Sequence, residues 1–286
     1  MTTTNLVLTL SCRDHIGIVA RVSQLLAASG LNIIESQQFG DSATDTFFMR
    51  VQAQGSDTDL AGFRQRMSVM GSELAMSWQI YDMSQHPRVL VLVSRFGHCL
   101  NDLLYRRDSG LLHAEVVAVV SNHADFAGLS ASYDTEFHHL PIDRDDPAAK
   151  ARQEAALGEL IDGLSVDLVV LARYMQVLSP ELAGRLAGRA INIHHGLLPS
   201  FKGARPYHQA FDRGVKVIGA TAHYLTSDLD EGPIISQAVA EVDHRAGPER
   251  LAAIGRDLEC SALARAVEWH VDHRVLLNGP KTVVFS

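Results

Sequence analysis

The chain has 286 residues, of which 47% are hydrophobic and 20% charged, enough apolar material for one large or two ordinary cores. Its formal net charge of −8, with no basic cluster, argues against nucleic acid as a partner. Cys12, Cys99 and Cys260 lie far apart without CxxC spacing, which excludes a disulfide framework or structural zinc and fits a reducing, cytoplasmic setting.

The opening MTTTNLVLTLSCRDH lacks a basic leader and alternates, so it reads as a strand over Asn5 to Ser11 and not as a signal peptide. No stretch approaches the roughly 18 apolar residues of a membrane span. Asp14 is placed to cap a helix whose first turn Gly17 opens, and Ile18, Val22, Leu25 and Leu26 keep helical spacing until Gly30. Strands follow over Leu31 to Phe39 and Thr44 to Gln52, with Gly40-Asp41 at the turn. A helix from Thr58 to Gly71 and a strand from Glu73 to Tyr81 complete a βαββαβ, ferredoxin-like order. Ser84-Gln85-His86-Pro87 is the linker, which gives domains of 1–84 and 85–286.

Past it the pattern changes. RVLVLVS, AEVVAVVS and VDLVVLA, beginning at Arg88, Ala114 and Val166, are nearly continuous apolar runs, as buried parallel strands require. Helices over Cys99 to Arg106, Asp125 to Tyr133 and Pro147 to Leu164, with a short strand from Phe137 to Ile142, alternate with them. The expected architecture is α/β, a doubly wound, mostly parallel sheet. A helix from Pro248 to Arg274 and a last edge strand from Thr282 to Phe285 close the chain. The loop SRFGHCLNDL after the first of these strands has neither GxGxxG nor GxxxxGK[ST], so no nucleotide cofactor is expected.

The chemistry-bearing stretch runs from Arg189 to Gln237. Asn192, His194 and His195 stand where a short strand runs out, His223 lies in the next strand, and the acidic loop Ser227 to Gly232 carries Asp228, Leu229 and Asp230. Ligands of α/β sheets bind beyond such strand ends, so a carboxamide, imidazoles and a carboxylate converge there without a metal. Adjacent on extended backbone, His194 and His195 should point to opposite faces, and no HExxH or HxxEH motif occurs; no metal site is expected.

SCRDHIGIVARVSQLLAASGLNI resembles the opening of ACT domains, small regulatory modules that pair edge to edge and often bind amino acids. That resemblance implies a homo-oligomer, a tetramer by our reading. It leaves two uses open: dimerisation alone, or an effector such as methionine or glycine held near Asp14, Gly17 and Asn32. NIHHGLLPSFKG followed by HYLTSDLDEGPIISQ resembles the signature of the formyltetrahydrofolate-using hydrolases and transferases. The matching positions are Asn192, His194 and Asp230, with His195 and His223 in support. The resemblance implies 10-formyltetrahydrofolate as substrate, no required cofactor, and a place in one-carbon and purine metabolism. LARYMQVLS resembles the pterin-side loop, with Met175, Gln176 and Leu178 on one side of the ring and Asp228 and Leu229 on the other. Asn192 and an N–H of His194 would meet the oxyanion formed at the formyl carbon, and Asp230 would relay the proton. The transferases' acceptor loop is glycine-rich, whereas Arg95-Phe96-Gly97-His98-Cys99 stands here, which favours water over an amine acceptor. Formyl transfer to an amine such as glycinamide ribonucleotide, and a non-catalytic amino-acid sensor, are the competing readings.

Overall fold

A computed structural model describes residues 3–56, 58–143, 145–200 and 206–286. The chain divides into two compact units, one of residues 1–86, 273–278 and 283–286, the other of 87–272 and 279–282.

The first unit starts with β1 (Thr3–Arg13), α1 (Ile18–Ala28), β2 (Asn32–Asp41), β3 (Thr46–Ser56), α2 (Leu60–Glu73) and β4 (Ser77–Asp82). Its antiparallel sheet has the order β2-β3-β1-β4. Leu6, Leu8 and Leu10 of β1 alternate onto the face that Val22, Leu26, Phe63 and Met67 of the helices cover. Asp14 does not cap α1. The N-cap is Gly17 at φ 97°, a left-handed value that glycine tolerates, and no side chain caps it. The turn between β2 and β3 lies at residues 42–45 and not at Gly40-Asp41, because β2 runs two residues further than its apolar pattern.

The second unit contains β5 (Arg88–Val93), α3 (His98–Asp108), β6 (Glu115–Ser121), α4 (Ala127–Ser132), β7 (Glu136–His139), α5 (Ala149–Gly163), β8 (Leu168–Leu171), α6 (Pro180–Arg185), β9 (Ala190–His194), α7 (Pro206–Asp212), β10 (Val217–Tyr224), β11 (Ile234–Glu241) and α8 (Pro248–Val271). Its sheet order is β11-β10-β9-β8-β5-β6-β7. The strands from β7 to β9 pair parallel, while β10 pairs antiparallel with both β9 and β11. The strand order reverses between β5 and β8, and loops leaving the carboxyl ends there open a crevice. The sequence reading passed over α6, although Ser179 caps it by accepting from Leu182 N–H, Pro180 stands in its first turn and Glu181 favours its dipole.

In place of a single edge strand, the chain ends in a hairpin of β12 (Val275–Asn278) and β13 (Lys281–Val284). Residues 273–278 and 283–286 pack with the first unit and not with the second, where the reading put everything after residue 84. Val283, Phe285 and Leu276 cover Phe48 there, a contact so distant in sequence that no local pattern carries it. No helix among the described residues is long and apolar enough to cross a membrane, and the three cysteines are free. Residues 201–205, part of the loop expected after β9, lie outside the described residues.

Candidate active site

Two neighbouring strand ends build the site. The chain leaves β8 through Arg173, whose φ is 64°. Met175 N–H then donates to Ser94 Oγ at the end of β5 (3.0 Å), and Ser179 N–H donates to Glu154 on α5 (2.9 Å). Fixed at both ends, the loop keeps Met175 and Val177 more than half exposed while Leu178 is buried. On β9, Asn192 and His194 share one face, and the antiparallel register sets His223 of β10 directly opposite Asn192. The segment after His194 is tied down as well. Thr221 Oγ1 accepts Leu198 N–H (3.0 Å) and donates to Gly196 O (2.9 Å).

The polar groups form a chain of contacts. His223 Nδ1 sits 2.9 Å from the Tyr224 carbonyl, which can only accept, so that nitrogen carries the proton. Its Nε2 is then free to accept from Asn192 Nδ2 at 3.2 Å, leaving one carboxamide N–H for a ligand. Asp230 Oδ2 is 3.2 Å from His194 Nδ1, and Oδ1 is 3.7 Å from His223 Nε2. Hydrogen bonding from His194, the largest cause, holds the Asp230 carboxyl well below the usual carboxylate range. His194 Nε2 is buried and has no hydrogen-bond partner among the described residues. The loop brings Asp230 in at φ 57°, a conformation aspartate tolerates, and a Cβ at Gly232 would stand 1.7 Å from Tyr224 O.

Asn192, His194, His195, Met175, Gln176, Leu178, Leu229 and Asp230 all line one cavity of about 320 Å³. Leu229 is exposed, so with Met175 and Val177 the cavity presents apolar surface beside its polar wall, as a site for a ring does. His223 lies behind that wall, 1% exposed. Asp228 is not part of the lining; its carbonyl accepts from the Thr226 hydroxyl. His195 does not point away from His194. The strand ends at His194, alternation ends with it, and the two rings lie 5.3 Å apart. Burial first, then the charge of Arg173, pushes the His195 ring down to about 4. In the other unit no hydrogen bond joins Asp14 to Asn32 among the described residues; the Asp14 carboxylate lies where a Cβ on Gly40 would be, 2.7 Å away.

A family model described as formyl transferase matches residues 87–267, and one described as ACT domain matches residues 6–61. The chain is 52% identical to a formyltetrahydrofolate deformylase of Corynebacterium sp. (strain P-1) over 97% of both chains. It belongs to the formyltetrahydrofolate deformylases. The deformylase of Bacillus subtilis (strain 168) is 43% identical over 98% of this chain and 93% of its own. The crystal structure of the Burkholderia mallei deformylase superposes with a TM-score of 0.93 at 49% identity, covering 99% of this chain and 100% of that one. A glycinamide ribonucleotide transformylase of Symbiobacterium toebii matches with a TM-score of 0.65 at 32% identity, over 70% of this chain and 95% of its own. A deformylase and a transformylase thus both share fold with this chain, the deformylase over nearly all of it and the transformylase over 70%. The sequence reading singles out neither Arg173, in the lining, nor Glu259, its buried ion-pair partner. A signal for Glu259 existed: it is the one acid in the stripe Leu251, Gly255, Ala262, Leu263, Ala266 that α8 buries.

Proposed function

We propose that the chain hydrolyses 10-formyltetrahydrofolate to formate and tetrahydrofolate, with Asn192, His194 and Asp230 as the catalytic residues. The observation that carries this is the unpartnered, buried Nε2 of His194, in a ring whose other nitrogen is tied to Asp230. Water attacks the formyl carbon through its oxygen and gives a proton to Nε2. Asp230, already charged, stabilises the imidazolium so formed, and the spare N–H of Asn192 donates to the oxyanion. Collapse of the tetrahedral adduct breaks the carbon–N10 bond, and N10 takes the proton back from Nε2. No cofactor enters any step. This assignment moves the proton from Asp230 to the His194–Asp230 pair, because a carboxylate held that far below its usual range is a poor base.

Met175, Gln176 and Leu178 on one side and Leu229 on the other are the folate contacts of this reading. The first unit belongs to the same proposal as a cytoplasmic, homo-oligomeric enzyme's regulatory module with an amino-acid effector; titrating methionine and glycine into the full chain tests it. Purified protein given 10-formyltetrahydrofolate and no amine should release formate stoichiometrically with tetrahydrofolate. Formate-free turnover that requires an added amine would establish a transferase instead, and no turnover in either assay would leave the sensor reading.

A further inference from the structure

Next to the catalytic cavity lies a second buried ionic cluster, and none of the steps above uses it. Its centre is Glu259 of α8, 1% exposed. His98 Nε2–H donates to Oε2 at 2.7 Å, Arg173 Nε lies 3.2 Å from the same oxygen, and the Tyr207 hydroxyl donates to Oε1 at 2.7 Å. Burial alone would push the Glu259 carboxyl up. The His98 hydrogen bond and the Arg173 charge outweigh it and hold the group ionised. Cys99 comes close enough that its sulfur, His98 and Glu259 could be read as metal ligands, but His98 and Tyr207 already donate to the carboxylate and the Arg173 cation stands beside it.

The four partners come from the elements around the strand-order reversal. His98 opens α3 after β5, Arg173 follows β8, Tyr207 is on α7 and Glu259 on α8. Two backbone features exist for the cluster's sake. Arg173 sits at φ 64°, where a residue with a Cβ is disfavoured and glycine is at ease. Gly255 notches α8 one turn before Glu259, since a Cβ there would stand 2.0 Å from the Tyr207 hydroxyl. Arg173 and Arg256 also approach the Phe96 ring, at 5.6 and 6.0 Å from its centre. The same Arg173 lines the catalytic cavity, and His195, also in that lining, lies 6.3 Å from the Tyr207 ring. The cluster therefore borders the formyl site on the side of the loop after β5.

We infer that Arg173, Tyr207 and Glu259 are specificity-determining residues: their cluster fills the place beside the formyl carbon that an amine acceptor would take, and so commits the formyl group to water. A free carboxylate beside Nε2 of His194 would attract a hydroxyl- or ammonium-bearing acceptor. Here His98 and Tyr207 donate to it and Arg173 pairs with it, so it is not free, and the guanidinium belongs to the lining of the same cavity as His194. Admitting an amine balances simply. Its nitrogen bonds to the formyl carbon, the carbon–N10 bond breaks, and one amine proton ends on N10, giving an N-formyl product and tetrahydrofolate.

This inference rests on the hydrolase reading, and one experiment separates the two. Full-length protein receives 10-formyltetrahydrofolate with a large excess of glycinamide, and formate and N-formylglycinamide are both quantified. Wild-type protein should yield formate alone. Arg173→Gly removes the side chain and relieves the backbone together, and with thermal denaturation confirming the fold the fraction of formyl groups captured by the amine should rise about tenfold or more. Gly255→Ala, outside the cavity, should shift the partition the same way by displacing Tyr207. An unchanged partition in both variants, with formate still released, overturns the inference and leaves the hydrolase reading standing. Wild-type protein that releases no formate overturns the hydrolase reading itself.

Discussion

Replacing Asp230 with asparagine isolates the charge that the mechanism requires. The carboxylate lies 3.2 Å from His194 Nδ1. At an effective dielectric of about 20, a positive charge created on that ring gains about 5 kcal/mol from it. With about 1.4 kcal/mol per tenfold in rate, losing that interaction lowers kcat by about 10³–10⁴-fold. The asparagine has nearly the same shape, so the loop at Gly232 and the apolar contacts at Leu229 stay in place. If its amide turns an N–H toward Nδ1, the ring proton moves to Nε2, and the atom that must receive water's proton is already occupied. The assay is formate release at saturating folate in the neutral pH range, with thermal denaturation to confirm the fold. Because the interaction matters only once the ring is charged, kcat and kcat/KM should fall together. A variant within tenfold of wild type, or one whose loss appears only in KM, would refute the His194–Asp230 pairing as the proton carrier.

Three further expectations follow from the same geometry. Gly232→Ala places a Cβ 1.7 Å from Tyr224 O, so the loop must shift, and kcat should drop at least about 100-fold although no polar group is removed. His223→Leu fills the volume but deletes the acceptor that holds Asn192, and kcat should fall about 10–100-fold with KM little changed. Burial pushes the rings of His195 and His270 down to about 4, against about 6.5 in an unfolded chain. Between those values the unfolded state binds more protons, so the stability these neutral rings confer is full above about 6.5 and declines as pH falls, by up to about 1.4 kcal/mol per pH unit for each ring. Urea unfolding from about pH 7 to about pH 5 should show this decline, and His270→Asn should make it shallower.

Most of the second unit was legible because its strands are buried on both faces and read as unbroken apolar runs, as at Leu168–Leu171. That Asn192 and His194 come together was legible for a related reason: they are polar residues two apart at the end of such a run, hence on one face at the carboxyl end. The failures have local causes. Asp14 looked like a cap, but the left-handed backbone at Gly17 starts α1 without one. His195 was set against His194 by strand alternation, and alternation has no force once the strand has ended. Val283 and Phe285 complete the core of a unit that begins more than two hundred residues earlier, and local pattern holds no trace of that.

Arg173 shows why the deformylases could not be told from the transformylases by the catalytic trio alone. A carboxamide, an imidazole and a carboxylate around a formyl carbon stabilise the same tetrahedral adduct whether the nucleophile is water or an amine. What differs is what may stand beside that carbon before the reaction begins. An arginine in a left-handed turn and a glutamate inside a helix's buried stripe are each unfavourable in isolation, and each violates the local rule by which sequences are read. Placed together, with His98 and Tyr207 donating to the carboxylate, they offset one another's charge and occupy space. Selectivity for the smallest acceptor is then achieved by exclusion and needs no contact with water at all, which is why it is written in the residues that break the pattern.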